Sequence, residues 1–430
     1  MTTPTRWRTT SLILAGGIVA LSSSLTLAQA NRSTKGKPTA QQAPPPPVLT
    51  RHNINKRNWT LNCEVRLHGL QPRAREDKNI TPTSRMKFNR ALFYFPIAAG
   101  SSMHDWRKDK TKGFIRVENV VLDDTPRFAD GYQCGTQLMV FDVGEVNGYR
   151  LTMHTETAMT SYETVIDEKR AREIPWPKEP WEPTIASALQ SQLFIEVEDP
   201  AIQALVKEWT NSNPRGAKPY DLAKHLAGKV VEYYAPSEGI YETSARGLRT
   251  GDVSAVLFNG YNVRGAAEAA RAKRGSPLDM ANLLTGVYRA AGLPARTVVG
   301  FDVKSTENSP SKNIAVLRAW TEFYLLDEAN KRGEWIPVDV QKQREFSSRP
   351  PPITQAWEYF GNNRDFDFVC PIAFHWMPPT LSVNQGPPAL WGFVPDPVSF
   401  QADQEIRFYA FETPVRGDDP EVRDRNKKKP

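Results

Sequence analysis

The sequence predicts an α+β protein: a block of strands, then helices, then a smaller antiparallel sheet on which the helices pack. Three observations predict it. Between Trp59 and Ala158 five segments rich in Val, Ile, Phe and Thr recur, separated by turn residues, with no helical pattern between them. From Asp199 onward apolar residues fall at helical spacing, first Ile202, Leu205, Val206 and Trp209, then Leu222, Leu226, Val230 and Tyr234. Beyond Gly292 three strand-like runs follow closely: 297–303, RAWTEFYLL and GEWIPVDV.

A chain of 430 residues is longer than one small domain needs. Its apolar share of 40% and charged share of 24% are those of a packed globular protein, which excludes a fibrous or wholly disordered chain. The net charge of +7 is modest and lies largely in the termini, so a nucleic-acid partner is not expected.

In chain order, Arg6 and Arg8 precede an apolar run over 12–27 and an Ala28-Gln29-Ala30 cleavage pattern. Residues 1–30 therefore read as a signal peptide of an exported, periplasmic or extracellular protein. An uncleaved anchor is the alternative, and Gly16, Gly17 and the serines that interrupt the run argue against it. No later stretch is long and apolar enough to span a bilayer, so no integral membrane span is expected after cleavage. Residues 31–56 are polar, basic and proline-rich, and read as a disordered tether. Strands are expected at 59–70, 91–98, 114–122, 137–144 and 149–158, the last two joined through Asn147-Gly148, a good hairpin signal. Spaced this way they predict a β-sandwich over 57–170.

A charged stretch with Trp176, Trp181 and several prolines marks the boundary before a core over 184–345. Asp199-Pro200 starts one helix, and a short alanine-rich helix is expected at 264–273. Ser276-Pro277-Leu278-Asp279 starts the central one: a serine N-cap, proline at the first helical position and an acid closing a capping box. Leu283, Leu284, Val287 and Ala291 form its buried stripe, and Gly292 with Pro294 ends it. Residues 346–413 read as an irregular aromatic and proline-rich extension with one strand near its end, and 414–430 as a disordered tail. Trp357, Trp376 and Trp391 in that extension suit loop packing, or a platform for sugar or peptide.

The stretch 264–339 carries RGSPLDMANLLTGVYRAAGLPAR, VVGFDV, RAWTEFYLL and GEWIPVDV in order. It resembles the core of the transglutaminase-like superfamily, relatives of the papain-like cysteine enzymes. That pattern reads G-x-C-x-D-x-A, R-x-x-G-[IL]-P-A-R, H-A-W-x-E-x-Y and W-x-x-x-D. Pro277 stands at the cysteine position, Arg318 at the histidine position, and Asp339 at the intact third position. The resemblance implies a transglutaminase-like core of helices on an antiparallel sheet. In such enzymes a helix N-terminus lowers the thiol pKa and its free amides hold an oxyanion. Proline is no nucleophile and removes one of those amides. Arginine stays protonated and cannot act as a base.

The alternatives are weak. Ser276 would need a nearby base, whereas its capping role needs nothing more. The six histidines leave the interval between His225 and His375 empty, so none lies on the strands concerned. Cys370 follows Asp339, contrary to the family order, and a buried free thiol is its expected fate. Trp320 and Trp335 are expected to be packing residues. Cys63 and Cys134 both fall in the strand block, and export would permit a disulfide between them. Arg318 is expected to pair with Asp339, with the Pro277 end of the helix facing them, since an unpaired buried charge is costly; its long stem also allows it to swing outward.

No zinc-type spacing, phosphate loop or dinucleotide fingerprint is present, so no cofactor or metal is expected. The implied function is that of a catalytically inactive binding or scaffold protein of the cell envelope. Its groove would take a peptide, a peptidoglycan fragment or another glycan, or dock an envelope protein. An active cysteine-type transglutaminase or peptidase with a rearranged site, and a purely structural component, are the alternatives.

Overall fold

Trp59, Leu61, Cys63, Val65 and Leu67 alternate with more polar residues, and all five are buried. This period of two makes one face of the strand Leu49–Gly69, β1, the floor of an apolar core. The computed structural model describes residues 46–69, 85–240, 261–303, 313–314, 316–378, 390–397 and 402–413. The chain divides into residues 1–44 and a second unit from residue 45 on, to which all described residues belong. The signal segment, most of the tether and the tail lie outside them.

After β1 the main strands of the first block are β2 (Arg90–Ala98), β3 (Lys112–Val117), β4 (Thr136–Val143) and β5 (Arg150–Ile166). The single strand expected at 114–122 is two, because Glu118 at φ 51° turns the chain back into Val120–Asp123. Helices follow: α1 (Pro200–Trp209), α2 (Pro219–Tyr233), α3 (Ala266–Ala272) and α4 (Pro277–Ala290). Then come β6 (Ala295–Asp302), β7 (Val316–Asp327), β8 (Arg332–Val338), the short helix α5 (Val340–Phe346), β9 (Val369–Ala373), β10 (Gly392–Asp396) and β11 (Ala402–Glu412).

Three antiparallel sheets organise the described residues. A seven-stranded sheet runs Asn313–Ile314, β11, β1, β5, β3 and Val120–Asp123, with His104–Trp106 beside β5. A four-stranded sheet runs β10, β2, β4 and Arg127–Ala129. The two share a core in which Leu61, Val65 and Met153 meet Phe93, Phe95 and Phe141. The third sheet runs β8, β7, β6, β9, and α4 lies on it.

The segment expected to be irregular, 346–413, supplies β9, β10 and β11. Each pairs with a strand from an earlier part of the chain: β9 with β6, β10 with β2, β11 with β1. The strand expected at 59–70 also begins earlier, at Leu49, inside the stretch expected to be tether.

Helix α4 is nearly surrounded. Leu283, Leu284 and Val287 are fully buried with α1, α2 and the sheet, each contributing about 1.5–3 kcal/mol by leaving water. Polar fasteners fix its register. The Thr285 hydroxyl lies 2.8 Å from that of Thr297 and 3.0 Å from that of Thr321, and the Thr321 hydroxyl donates to the Ala281 carbonyl at 2.9 Å. Tyr288 donates from its hydroxyl to the Ala223 carbonyl of α2 at 2.8 Å. Among the described residues no helix is long and apolar enough to cross a membrane.

Candidate functional site

The start of α4 follows its local sequence. The Ser276 oxygen accepts from the Asp279 amide at 3.2 Å, and Pro277 takes the first helical position, where no donor is lost from the helix. Asp279 reaches outward as well as back: its Oδ1 accepts from the amides of Arg264 at 2.9 Å and Gly265 at 3.0 Å. Burial raises its pKa, and those amides work against the rise. Ser276 is fully buried, its hydroxyl within 3.3 Å of Asp279 Oδ2 and its carbonyl bonded to the Tyr234 hydroxyl. The side-chain oxygens of Ser276 and Asp279 are thus committed to structure.

Arg318 lies on β7 and is 3% exposed, so its charge must be met inside the protein. Three aspartates meet it. Its Nε donates to Asp339 at 2.9 Å, Nη1 to Asp365 at 2.9 Å and to Asp302 at 3.4 Å, and Nη2 to Asp365 at 3.3 Å. Burial opposes the guanidinium charge, but the carboxylates of Asp339, Asp365 and Asp302 outweigh it and raise the pKa above the usual arginine value. Asp339, itself buried, also caps α5 by accepting from the Lys342 amide at 2.9 Å. Burial holds its pKa above the usual carboxylate range, while Arg318 pulls it down.

The expected Arg318–Asp339 pair is therefore present, and Asp302 and Asp365 join it. Arg318 and Trp320 share the face of β7 that packs on Phe366, at 5.2 Å each. Thr321, pointing the other way, is the residue that meets α4. Among the described residues no hydrogen bond or ion pair joins the first turn of α4 to Arg318 or Asp339.

With helix, sheet and the three positions placed, the family model for the transglutaminase-like superfamily matches residues 215–340. The core is transglutaminase-like. A proposed cysteine protease from Cytophaga hutchinsonii is similar over 85% of this chain and 93% of its own, at 12% identity and a TM-score of 0.47. A proposed protease from Parabacteroides distasonis covers 68% and 62%, at 9% identity and a TM-score of 0.22. Red sea bream transglutaminase covers 64% and 54%, at 11% identity and a TM-score of 0.24. No curated protein matches the chain.

A second charged pair lies within the transglutaminase-like motifs, on the same face of β7. Arg296 and Glu322 are directly opposite in the β6–β7 ladder, and Arg296 Nε donates to Glu322 Oε2 at 2.8 Å. The guanidinium is stacked between Trp335 at 4.3 Å and Phe374 at 3.6 Å, and its Nη1 donates to the Cys134 carbonyl at 3.2 Å. Arg296 ends the P-A-R motif and Glu322 the A-W-x-E motif. Opposite charges in consecutive strand motifs were the signal for this pair, and sequence reasoning did not use it. Nothing in the sequence pointed to Asp302 and Asp365.

The remaining cysteines and histidines do not assemble a replacement site. Cys63 and Cys134 are both free, which corrects the expected disulfide. Cys63 faces the core shared by the first two sheets, whereas Cys134 packs on the separate cluster of Trp320, Phe366 and Phe374. Cys370 is buried in β9, and burial pushes its thiol and that of Cys63 well above the ordinary cysteine range. His375 is bonded through Nδ1 to the Thr136 hydroxyl at 3.0 Å, and burial lowers its pKa to about 4. Cys134 differs. It is partly exposed, and its sulfur accepts from Gln192 Nε2 at 3.2 Å and lies 3.8 Å from Arg289 Nη2. In the native protein a soluble disulfide reagent is expected to titrate Cys134 alone, with Cys63 and Cys370 reacting only after unfolding. Rapid native labelling of Cys370, read by peptide mass mapping, would contradict this.

Proposed function

We propose that this transglutaminase-like protein binds rather than transforms its ligand, as an exported envelope protein whose strand block is a β-sandwich ahead of the core. Arg318 carries the reading. At the position where the family places its base stands a cation that cannot accept a proton, clamped by three aspartates. Pro277 supports it, since neither a nucleophile nor its amide is available at the helix start. The ligand class is that of envelope peptides, peptidoglycan or other glycans, or a protein of the envelope.

The purified full chain is expected to show no transglutaminase, amidase or peptidase turnover above background. Loss of one member of a catalytic unit typically costs several orders of magnitude, and here two are replaced. Turnover that vanishes in Ser276→Ala, Cys134→Ala or Cys370→Ala would overturn the reading.

A further inference from the structure

We infer that the cleft between the start of β1 and the start of β8 binds an extended peptide by strand addition. The inference rests on the reading of the chain as a binding protein, but it places the ligand away from Arg318. The cleft is open and about 720 Å³, within the range of ligand-binding clefts. Its walls are Leu49, Thr50, Arg51 and Asn53, the turn from Gly100 to Ser102, and four consecutive residues of β8 from Arg332 to Trp335.

Both long walls are strand edges. β8 is the end strand of its sheet, and among the described residues no strand pairs with 332–335 on the side away from β7. Along a strand, the amide and carbonyl of every second residue point to the same side. The Pro337 carbonyl accepts from the Gly361 amide at 2.8 Å and the Trp335 carbonyl from the Ser102 hydroxyl at 2.7 Å, which identifies the outward set. The Gly333 amide and carbonyl and the Trp335 amide belong to it. β1 offers the matching edge. Its pairing with β11 covers only Trp59 to Gly69, so among the described residues Leu49 to His52 pair with β5 alone. The Val48 carbonyl accepts from the Asp167 amide, next to β5, so the Leu49 and Arg51 backbones turn the other way, into the cleft.

The cleft is held open by built contacts. The Leu49 amide donates to Glu334 Oε2 at 2.8 Å and closes one end. Arg51 Nε donates to the Ser102 carbonyl at 2.9 Å and pins the turn that forms the far wall. At Gly100 nothing lies within 4 Å of where a Cβ would sit, so that side is open. A row of outward main-chain donors and acceptors is matched by the main chain of an extended peptide, with Trp335 beneath it as an apolar contact.

The test selects a random dodecapeptide display library against the full chain. Amide hydrogen exchange is then measured with the enriched peptides added. The expected result is exchange slowed about tenfold or more at Gly333, Trp335 and Arg51, as new main-chain hydrogen bonds form. Asn53→Trp, which fills the cleft from an exposed position, should weaken binding by a similar factor. N-methylation of alternate residues on one edge of the peptide should abolish it, which tests main-chain recognition even if that variant folds poorly. An empty selection, or protection confined to other segments such as that around Arg318, overturns the inference. Turnover by the protein with the cleft still protected would instead defeat only the non-catalytic reading.

Discussion

Replacing Arg318 by methionine is expected to destabilise the protein by about 3–5 kcal/mol at neutral pH, the cost of breaking a buried ion network by removing one partner. Methionine keeps an unbranched apolar stem and removes the guanidinium, including its place over Phe366, so the loss reports chiefly the missing charge. Asp339, Asp365 and Asp302 would be left close together without the cation that holds them. Burial already raises the pKa of Asp339 against the pull of Arg318; without Arg318 the pKa rises further. A carboxyl whose folded pKa lies above its unfolded value binds its proton more tightly in the native state. Its penalty is therefore full above the folded pKa and recedes as pH falls through it. The variant should recover part of its deficit, relative to the parent, as pH falls from neutral through the raised folded pKa, in urea unfolding. A deficit under about 1 kcal/mol, or one that does not change with pH, would mean that the aspartates do not depend on Arg318.

The local part of the core was legible because its signals are local. Ser276 and Pro277 cap the helix as read, since a cap is decided by residues three apart, whereas the Asp279 carboxylate takes the Arg264 and Gly265 amides and the Ser276 hydroxyl instead of closing a capping box on the Ser276 amide. Arg318 and Asp339 met because the strand order of the motifs places β8 beside β7. What was not legible depends on pairings distant in sequence. Asp365 lies in a stretch with no periodic pattern, yet that stretch is turned back against β7. The start of β1 reads as tether because Arg51 to Lys56 present no alternation, and its β5 ladder is irregular there, with a register shift between His52 and Arg57. β11 lies hundreds of residues from β1 in the chain and pairs with it along eleven residues, a contact no local pattern encodes. Cys63 and Cys134 share the strand block but belong to different apolar clusters, so proximity in sequence suggested a bond that the sheet arrangement denies.

Glu322→Ala should be similarly damaging, and its rescue is the sharper test. Glu322 is fully buried and Arg296 is 4% exposed, so truncation strands a guanidinium between Trp335 and Phe374 with the Cys134 carbonyl as its remaining acceptor. A loss of about 3–5 kcal/mol is expected, because the arginine's desolvation is then uncompensated. The carboxylate was costly to bury in its own right: burial raises its pKa, with Arg296 opposing the rise. Removing both charges should thus cost much less than removing one. The double variant Arg296→Met with Glu322→Met is expected to recover most of the loss, since two apolar side chains replace a pair whose attraction and desolvation nearly cancel. Urea unfolding of the parent, both single variants and the double variant gives the coupling directly. A double variant no more stable than the worse single one would show that Arg296 and Glu322 act through packing with their aromatic neighbours, not through each other's charge.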